Sequence, residues 1–411
     1  MANASKIKNF NLLWIGQSFS FVGDHIMVVG MPFLGLSVAN LNAAQAALLP
    51  FFIYLPFLLF GLPAGAIVDW WPKRRVMLYA EISQVVICLF LLYLVIIEAL
   101  SYSSMAFVCA LQGLTNVFFQ IAYNSILPEL GCTKSELQSM NSKLFFSESL
   151  ARSAGPASAG LLINFFGIFS LPVANMVSFI ISASSIYLMS VVEPIRRPLF
   201  NWRGYRDIPD QIRDGVAFVR HHSVLEPIFL CGTLYVVFLT CTNVGLLLYC
   251  KEILGMDPFS IGLLVGAAAF GFPIANILSP YILNSLGTGR TLIFSATLSV
   301  FGLCALALGG SLGSVPIMLV ASVMHGLGEG VFGPAALTAR QLVTPANLLG
   351  RVNSIQKFLI WGGIAIGSVV ASAVVKFFGV EWILWAGGIG TILCLIPLLR
   401  KCAFENLEFN Q

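Results

Sequence analysis

Gly65-Ala-Ile-Val-Asp69-Trp-Trp-Pro-Lys73-Arg74-Arg75 is the stretch that decides the fold. One acid and three cations sit in a tight turn between two long apolar runs. Upstream, Ala43–Val68 is nearly uncharged, and downstream Val76–Ile97 carries a single acid, Glu81. A loop this short and basic, between runs of membrane length, belongs at a membrane surface. The bias of Lys and Arg toward the cytoplasmic side of short loops places it inside.

The rest of the chain agrees. It has 411 residues, of which 58% are hydrophobic and only 10% charged. Its mean hydropathy is +0.90. Soluble domains carry about a quarter charged residues, so this composition belongs to a polytopic membrane protein. With about 20 apolar residues per span, there is room for about twelve. We expect an all-α polytopic fold of twelve transmembrane helices in two six-helix halves. The predicted spans of the first half (1–192) are Phe10–Val38, a second ending at Val68, a third ending at Ile97, Met105–Leu127, Asn141–Phe165 and Ile168–Val192. Those of the second half (224–400) are Val224–Cys250, Pro258–Leu283, Thr291–Leu308, Val315–Leu342, Val352–Val375 and Trp382–Leu399. Residues 193–223 form an arginine-rich linker, and 401–411 a polar tail.

Within the linker, Pro209 suits a first helical turn. Ile212, Val216 and Val219 recur at i, i+4 and i+7, one apolar stripe on a charged helix. This predicts an amphipathic helix at the cytoplasmic surface. With both termini inside, Lys251 and Lys376 fall at outer ends and Arg152 and Lys357 within spans, while the other eighteen of the 22 Lys and Arg are cytoplasmic. That asymmetry sets the orientation. Met1–Asn9 is polar and the run after it is too long for a cleaved signal, so it is expected to remain as the first span. The nine cysteines form no C-x-x-C pair and read as packing residues.

The halves repeat. Gln112-Gly113-Leu114 pairs with His325-Gly326-Leu327, Asn141-Ser142 with Asn353-Ser354, and Phe165-Phe166-Gly167 with Phe377-Phe378-Gly379. Three matches in order argue for a duplicated six-helix unit. The counterpart of the basic turn, Asn284–Arg290, keeps Arg290 but lacks the acid.

Ionisable groups inside a membrane are costly and are functional candidates by default. Asp24 lies about 21 Å into the first span at the helical rise. His325 and Glu329 stand at i, i+4 on the tenth span, hence on one face. The aligned residues of the fourth span are Gln112 and Asn116, with Gln120 on the same face. Tyr235 and Asn243 are the deep polar residues of the seventh span. For each, the competing role is ordinary interhelical hydrogen bonding, worth about 0.6 kcal/mol per bond. Glu148 and Arg152, also i, i+4, are expected to neutralise each other in the fifth span as a structural or gating pair. There, Gly155, Pro156 and Gly160 permit close helix contact and a kink.

These residues carry a resemblance. Gly65, Asp69, Lys73 and Arg74 match the loop between the second and third helices of the major facilitator superfamily, from which Trp70 and Pro72 depart. Phe10-x-Leu-Leu-Trp14-x-Gly16-Gln17-x-x-Ser20-x-x-Gly23-Asp24 resembles the first helix of its enterobactin-exporter and macrolide-efflux branch. Arg152-x-x-Gly155-Pro156-x-x-x-Gly160 is similar to the exporters' glycine-proline motif, and Ile212-x-Asp214-Gly215-x-x-Phe218-Val219 to that branch's entry into the seventh helix. The resemblance implies that the first, fourth, seventh and tenth helices line a central cavity. It implies that Gln17, Gln112, Asn116, Gln120, Tyr235 and Asn243 offer polar contacts there, and that Asp24, His325 and Glu329 handle protons or substrate. It further implies a cytoplasmic gate of Gly65, Asp69, Lys73, Arg74 and Arg75, with Asp69 acting at the helix end beside Arg351.

The implied activity is secondary active export of a siderophore or an amphipathic drug-like molecule, driven by the proton gradient without a cofactor. A lysophospholipid transporter and a non-transporting receptor or scaffold remain as alternatives. The expected partners are a small-molecule substrate, protons and membrane lipid, with no nucleic acid, and the expected state is a monomer. The expected location is the bacterial inner membrane with both termini cytoplasmic. No G-x-x-x-x-G-K-[ST] sequence suggests ATP drive. No residue cluster suggests a metal, and no nucleophile with a base suggests an enzyme.

Overall fold

A computed structural model describes residues 2–129, 134–190, 208–345 and 348–400. Every regular element among them is helical. In chain order these are α1 (Ala2–Ser37), α2 (Ala43–Trp70), α3 (Lys73–Ile96), α4 (Tyr102–Glu129), α5 (Lys134–Phe166), α6 (Ser170–Leu188) and α7 (Ile208–His221). There follow α8 (Leu225–Glu252), α9 (Pro258–Ser311), α10 (Val315–Val343) and α11 (Leu349–Phe378). A 3-10 turn (Val380–Trp382), α12 (Ile383–Ile392) and α13 (Leu395–Arg400) complete the chain.

Among the described residues, eleven helices are long and apolar enough to cross a membrane. They include Pro258–Ala275 and Ile277–Ser311 of α9, and one span, Val380–Leu399, that joins the 3-10 turn, α12 and α13. The twelfth long helix is α5, 33 residues, whose Lys143, Glu148 and Arg152 lower its mean hydropathy. The break in helical backbone inside α9 is narrower than the expected seven-residue turn 284–290. It is a single residue, Gly287, at φ 73°. Only glycine enters that backbone region without steric cost. Large apolar side chains point outward along the spans, such as Ile96 and Phe165, 78% and 76% exposed. Lipid, not water, suits such a surface.

Local signals start and stop the helices. Asn42 caps α2 by accepting from Gln45 N, and Gln45 Oε1 accepts from Asn42 N in return. Asp257 caps α9, accepting from Phe259 N at 3.0 Å and Ser260 N at 3.1 Å. The Ser260 hydroxyl also donates to its Oδ2, and this bond, with the backbone ones, holds its carboxyl below its ordinary pKa.

His222 opens α8 in the same way, its Nδ1 accepting from Val224 N at 3.2 Å and Leu225 N at 3.4 Å. Burial lowers the His222 pKa from its ordinary value. The fold therefore favours the neutral ring. Its contribution is complete above about pH 6.5, the unfolded value, and is lost as pH falls through the lowered folded value. We expect His222→Asn, which keeps an acceptor, to flatten the fall of the unfolding temperature below about pH 6.5. Thermal unfolding in detergent across that range measures it.

The amphipathic linker helix is present as α7, but its buried face differs from the expected stripe. Gly215 and Val219 are buried and Val216 is exposed, while the Ile212 side chain is outside the described residues. Gly215 sets this rotation, because a Cβ there would press on Ile355 and Arg351 of α11. Residues 193–207 and 401–411 of the expected linker and tail lie outside the described residues.

The chain forms two compact units. One comprises Met1–Pro198 with Met256–Gly266, the other Leu199–Gly255 with Ala267–Gln411. The first has a core around Leu13, Met77, Ile126 and Ile186. The second has one around Leu225, Leu292, Ala339 and Leu398. The start of α9 joins the first unit through glycines. A Cβ at Gly262 would fall on the Pro156 carbonyl of α5, and one at Gly160 would come within 2.6 Å of Phe259 Cα. Gly155 lies as close to α1, where a Cβ would be 3.0 Å from the His25 carbonyl carbon. The fifth-helix motif is therefore a packing surface on both sides.

Candidate functional site

The sequence repeat has a spatial counterpart within each unit. A Cβ at Gly113 of α4 would strike the Ile53 carbonyl oxygen of α2, and one at Gly326 of α10 would strike that of Ala268 in α9. Gly167 and Gly379, which end α5 and α11, both take positive φ, at 79° and 95°. The polar residues beside these contacts form one cluster in each unit.

In the first unit, Gln17 and Asp24 of α1 and Asn116 and Gln120 of α4 line one small cavity. Four of the predicted residues are thus brought together. Glu81 and Gln84 of α3 line it as well. Gln112 is not part of the lining and contributes its backbone carbonyl, which accepts from Gln84 Nε2 at 3.1 Å. Gln17 Nε2 donates to Ser182 Oγ of α6 at 3.0 Å, and Ser182 donates to Glu81 Oε1 at 2.6 Å. Sequence reasoning did not select Glu81, Gln84 or Ser182. The available signal was Glu81 itself, the single acid of an apolar run.

In the second unit, Tyr235 of α8, Ser299 of α9 and His325 of α10 form a triangle. Tyr235 Oη lies 2.7 Å from Ser299 Oγ and 3.1 Å from His325 Nδ1, and Ser299 Oγ lies 2.8 Å from His325 Nδ1. On the other side of the ring, Nε2 is 3.5 Å from Glu329 Oε2. His325 is buried, whereas the Glu329 side chain retains 28% exposure. With both nitrogens engaged, the ring can take a proton at one and release it at the other. The tautomer follows whichever hydroxyl donates to Nδ1. Asn243 is exposed on α8, eight residues beyond Tyr235. Ser299 escaped the sequence reading, since serine is ordinary in a membrane helix.

Glu148 and Arg152 meet at 3.8 Å, with side chains 38% and 46% exposed. Such an exposed pair is worth little, about 0–1 kcal/mol. At the basic turn, Lys73 is buried and its Nζ donates to the Val68 carbonyl at 2.5 Å. Arg74 donates to the Ile186 and Tyr187 carbonyls at the end of α6, at 2.9 Å and 2.5 Å. These cations satisfy carbonyls left open at helix C-termini. Arg75 is exposed, and Arg351 stands half-buried at the start of α11 beside Gly215. The Gly65 and Asp69 side-chain positions lie outside the described residues.

Among the described residues, eleven apolar spans and α5, with a polar cluster in each unit, are those of a multi-pass membrane transporter of the major facilitator class. Residues 4–409 match the family described as transmembrane secretion effector, and the chain belongs to it. Macrolide efflux protein A of Streptococcus pyogenes is 22% identical over 413 residues, 99% of either chain. Multidrug efflux pump Tap of Mycolicibacterium fortuitum is 24% identical, covering 92% of this chain and 93% of its own. Among solved structures, a bacterial homologue of the iron transporter ferroportin in an inward-facing state aligns with TM-score 0.74 at 16% identity, over 96% of this chain and 98% of that one. The nucleoside transporter NupG aligns with TM-score 0.73 at 11% identity, over 97% and 99%. At these identities the two structures share the fold.

Proposed function

We propose that this chain is a proton-coupled exporter of an amphipathic, drug-like small molecule of macrolide or siderophore type. The observation that carries the reading is similarity over nearly the full length to macrolide and multidrug efflux proteins. The proton drive is supported by ionisable groups inside the spans, Asp24 in one unit and His325–Glu329 in the other. In this reading Asp24 and Glu329 carry protons, and His325 passes one between Glu329 and the Tyr235–Ser299 pair. Gln17, Gln112, Asn116, Gln120, Tyr235 and Asn243 offer polar contacts to substrate. No cofactor takes part.

The protein works as a monomer in the bacterial inner membrane with both termini in the cytoplasm, surrounded by lipid. Its two six-helix halves (1–192 and 224–400), joined by the linker at 193–223, rock about the site. Asp69 anchors a cytoplasmic gate with Lys73, Arg74, Arg75 and Arg351, and the Glu148–Arg152 pair tunes it from α5.

Everted membrane vesicles from cells expressing the chain test this with a fluorescent macrolide. Uptake should build up on energisation and collapse on addition of an uncoupler. Uptake that ignores the uncoupler, or none above vesicles lacking the protein, would overturn the reading.

A further inference from the structure

Glu81 is 2% exposed, eight residues from the start of α3 and so about 12 Å along the helix. Its Oε1 accepts from Ser182, while Oε2 has no partner among the described residues. Gln17 and Gln84, 1% and 9% exposed, share this condition, each with an unpartnered Oε1. Their amide orientations follow from the bonds they make. Gln84 Nε2 must be the nitrogen, because the Gln112 carbonyl can only accept. Gln17 Nε2 donates to the Ser182 oxygen whose own proton goes to Glu81. Three buried acceptors therefore stand without a donor. All three residues line the cavity shared with Asp24.

Ser20, Asn116 and Gln120 add polar groups to the same lining, and no cation stands among the lining residues. An ionised carboxylate buried with one oxygen unpartnered and no cation beside it is costly. A neutral carboxyl can instead donate its own proton to a neighbouring acceptor.

We propose that Glu81 is a proton-binding carboxyl in the cavity that it shares with Asp24. The physiological role of this second proton site rests on the proton-coupled reading above, whereas its occupancy does not. Asp24 is the other titratable group in the lining. The helices packed on α3 face the site with Asn116 and Gln120 from α4 and with Phe179 and Ser182 from α6. Around Asp24, Glu148 of α5, Tyr54 of α2 and Cys88 of α3 lie within electrostatic reach.

Infrared difference spectroscopy of the purified chain in lipid nanodiscs, titrated from about pH 5 to about pH 10, above the ordinary carboxyl values of about 4, tests the proposal without transport. The wild type should show a protonated-carboxyl band that is lost in Glu81→Gln. Ser182→Ala, which keeps the carboxyl and removes its donor, should shift the band without removing it. This variant also decides the matter if Glu81→Gln does not fold, since an unshifted band in Ser182→Ala would overturn the proposal. An unchanged spectrum in folded Glu81→Gln would do the same. Each titration is run in sodium and in choline chloride. A band present in choline and erased by sodium would make the occupant a sodium ion and overturn the proton assignment. If the band depends on Glu81 while macrolide uptake ignores an uncoupler, the site stands and proton-coupled export falls.

Discussion

Asp24→Asn is expected to reduce macrolide accumulation in energised everted vesicles to the level seen with an uncoupler. The substitution keeps the size of the side chain and its capacity to accept a hydrogen bond, and removes only the titration. Asp24 lines a cavity with Gln17, Glu81, Gln84, Asn116 and Gln120, none of which is a cation. No cation in that lining pairs with the Asp24 carboxyl, and an acid placed inside a span is a functional candidate. Downhill efflux from preloaded cells should persist, because the wall of the cavity is intact. Glu329→Gln should behave similarly if the second unit carries a proton as well. Full gradient-driven accumulation in both variants would place the coupling elsewhere.

Gly326→Val should cost about 3 kcal/mol or more, at the upper end of the range for overpacking, and leave little folded protein. The added Cβ would land on the Ala268 carbonyl oxygen, and a backbone atom cannot rotate aside as a side chain can. Gly113→Val meets the same obstacle at Ile53. Gly333→Ala in the same α10 is the control, since nothing lies within 4 Å of its added Cβ. Fluorescence-detected size exclusion and thermal unfolding in detergent read the difference. A monodisperse Gly326→Val with an unchanged unfolding temperature would mean that α9 and α10 can separate at no cost.

The helical fold was legible because its determinants are local. Apolar runs of membrane length, a short basic turn and a three-part repeat are all visible along the chain. The repeat was the most informative, since Gly113 and Gly326 turn out to occupy matching backbone contacts. The site was legible only by halves. Asp24, His325 and Glu329 were selected as candidates because charge in an apolar span stands out. Their partners were not, because Ser182 and Ser299 look like any serine in a membrane helix. Glu81 was visible as an isolated acid, but what gives it meaning lies 101 residues away at Ser182 and on α1 at Gln17. Periodicity cannot report contacts across such distances. The α7 stripe failed for a related reason: one glycine beside Arg351 and Ile355 outweighed the pattern of its own helix.

The cations of the basic turn have a practical consequence for work on orientation. Lys73 and Arg74 are bonded to carbonyls in the last turns of α2 and α6, and their charge is what the expected cytoplasmic placement of the turn rests on. Neutralising either would fray a helix end and weaken the insertion signal together, so a misoriented product and an unstable one would be confounded. Arg75 is exposed. A charge moved from that position reports on insertion with the least disturbance to the fold.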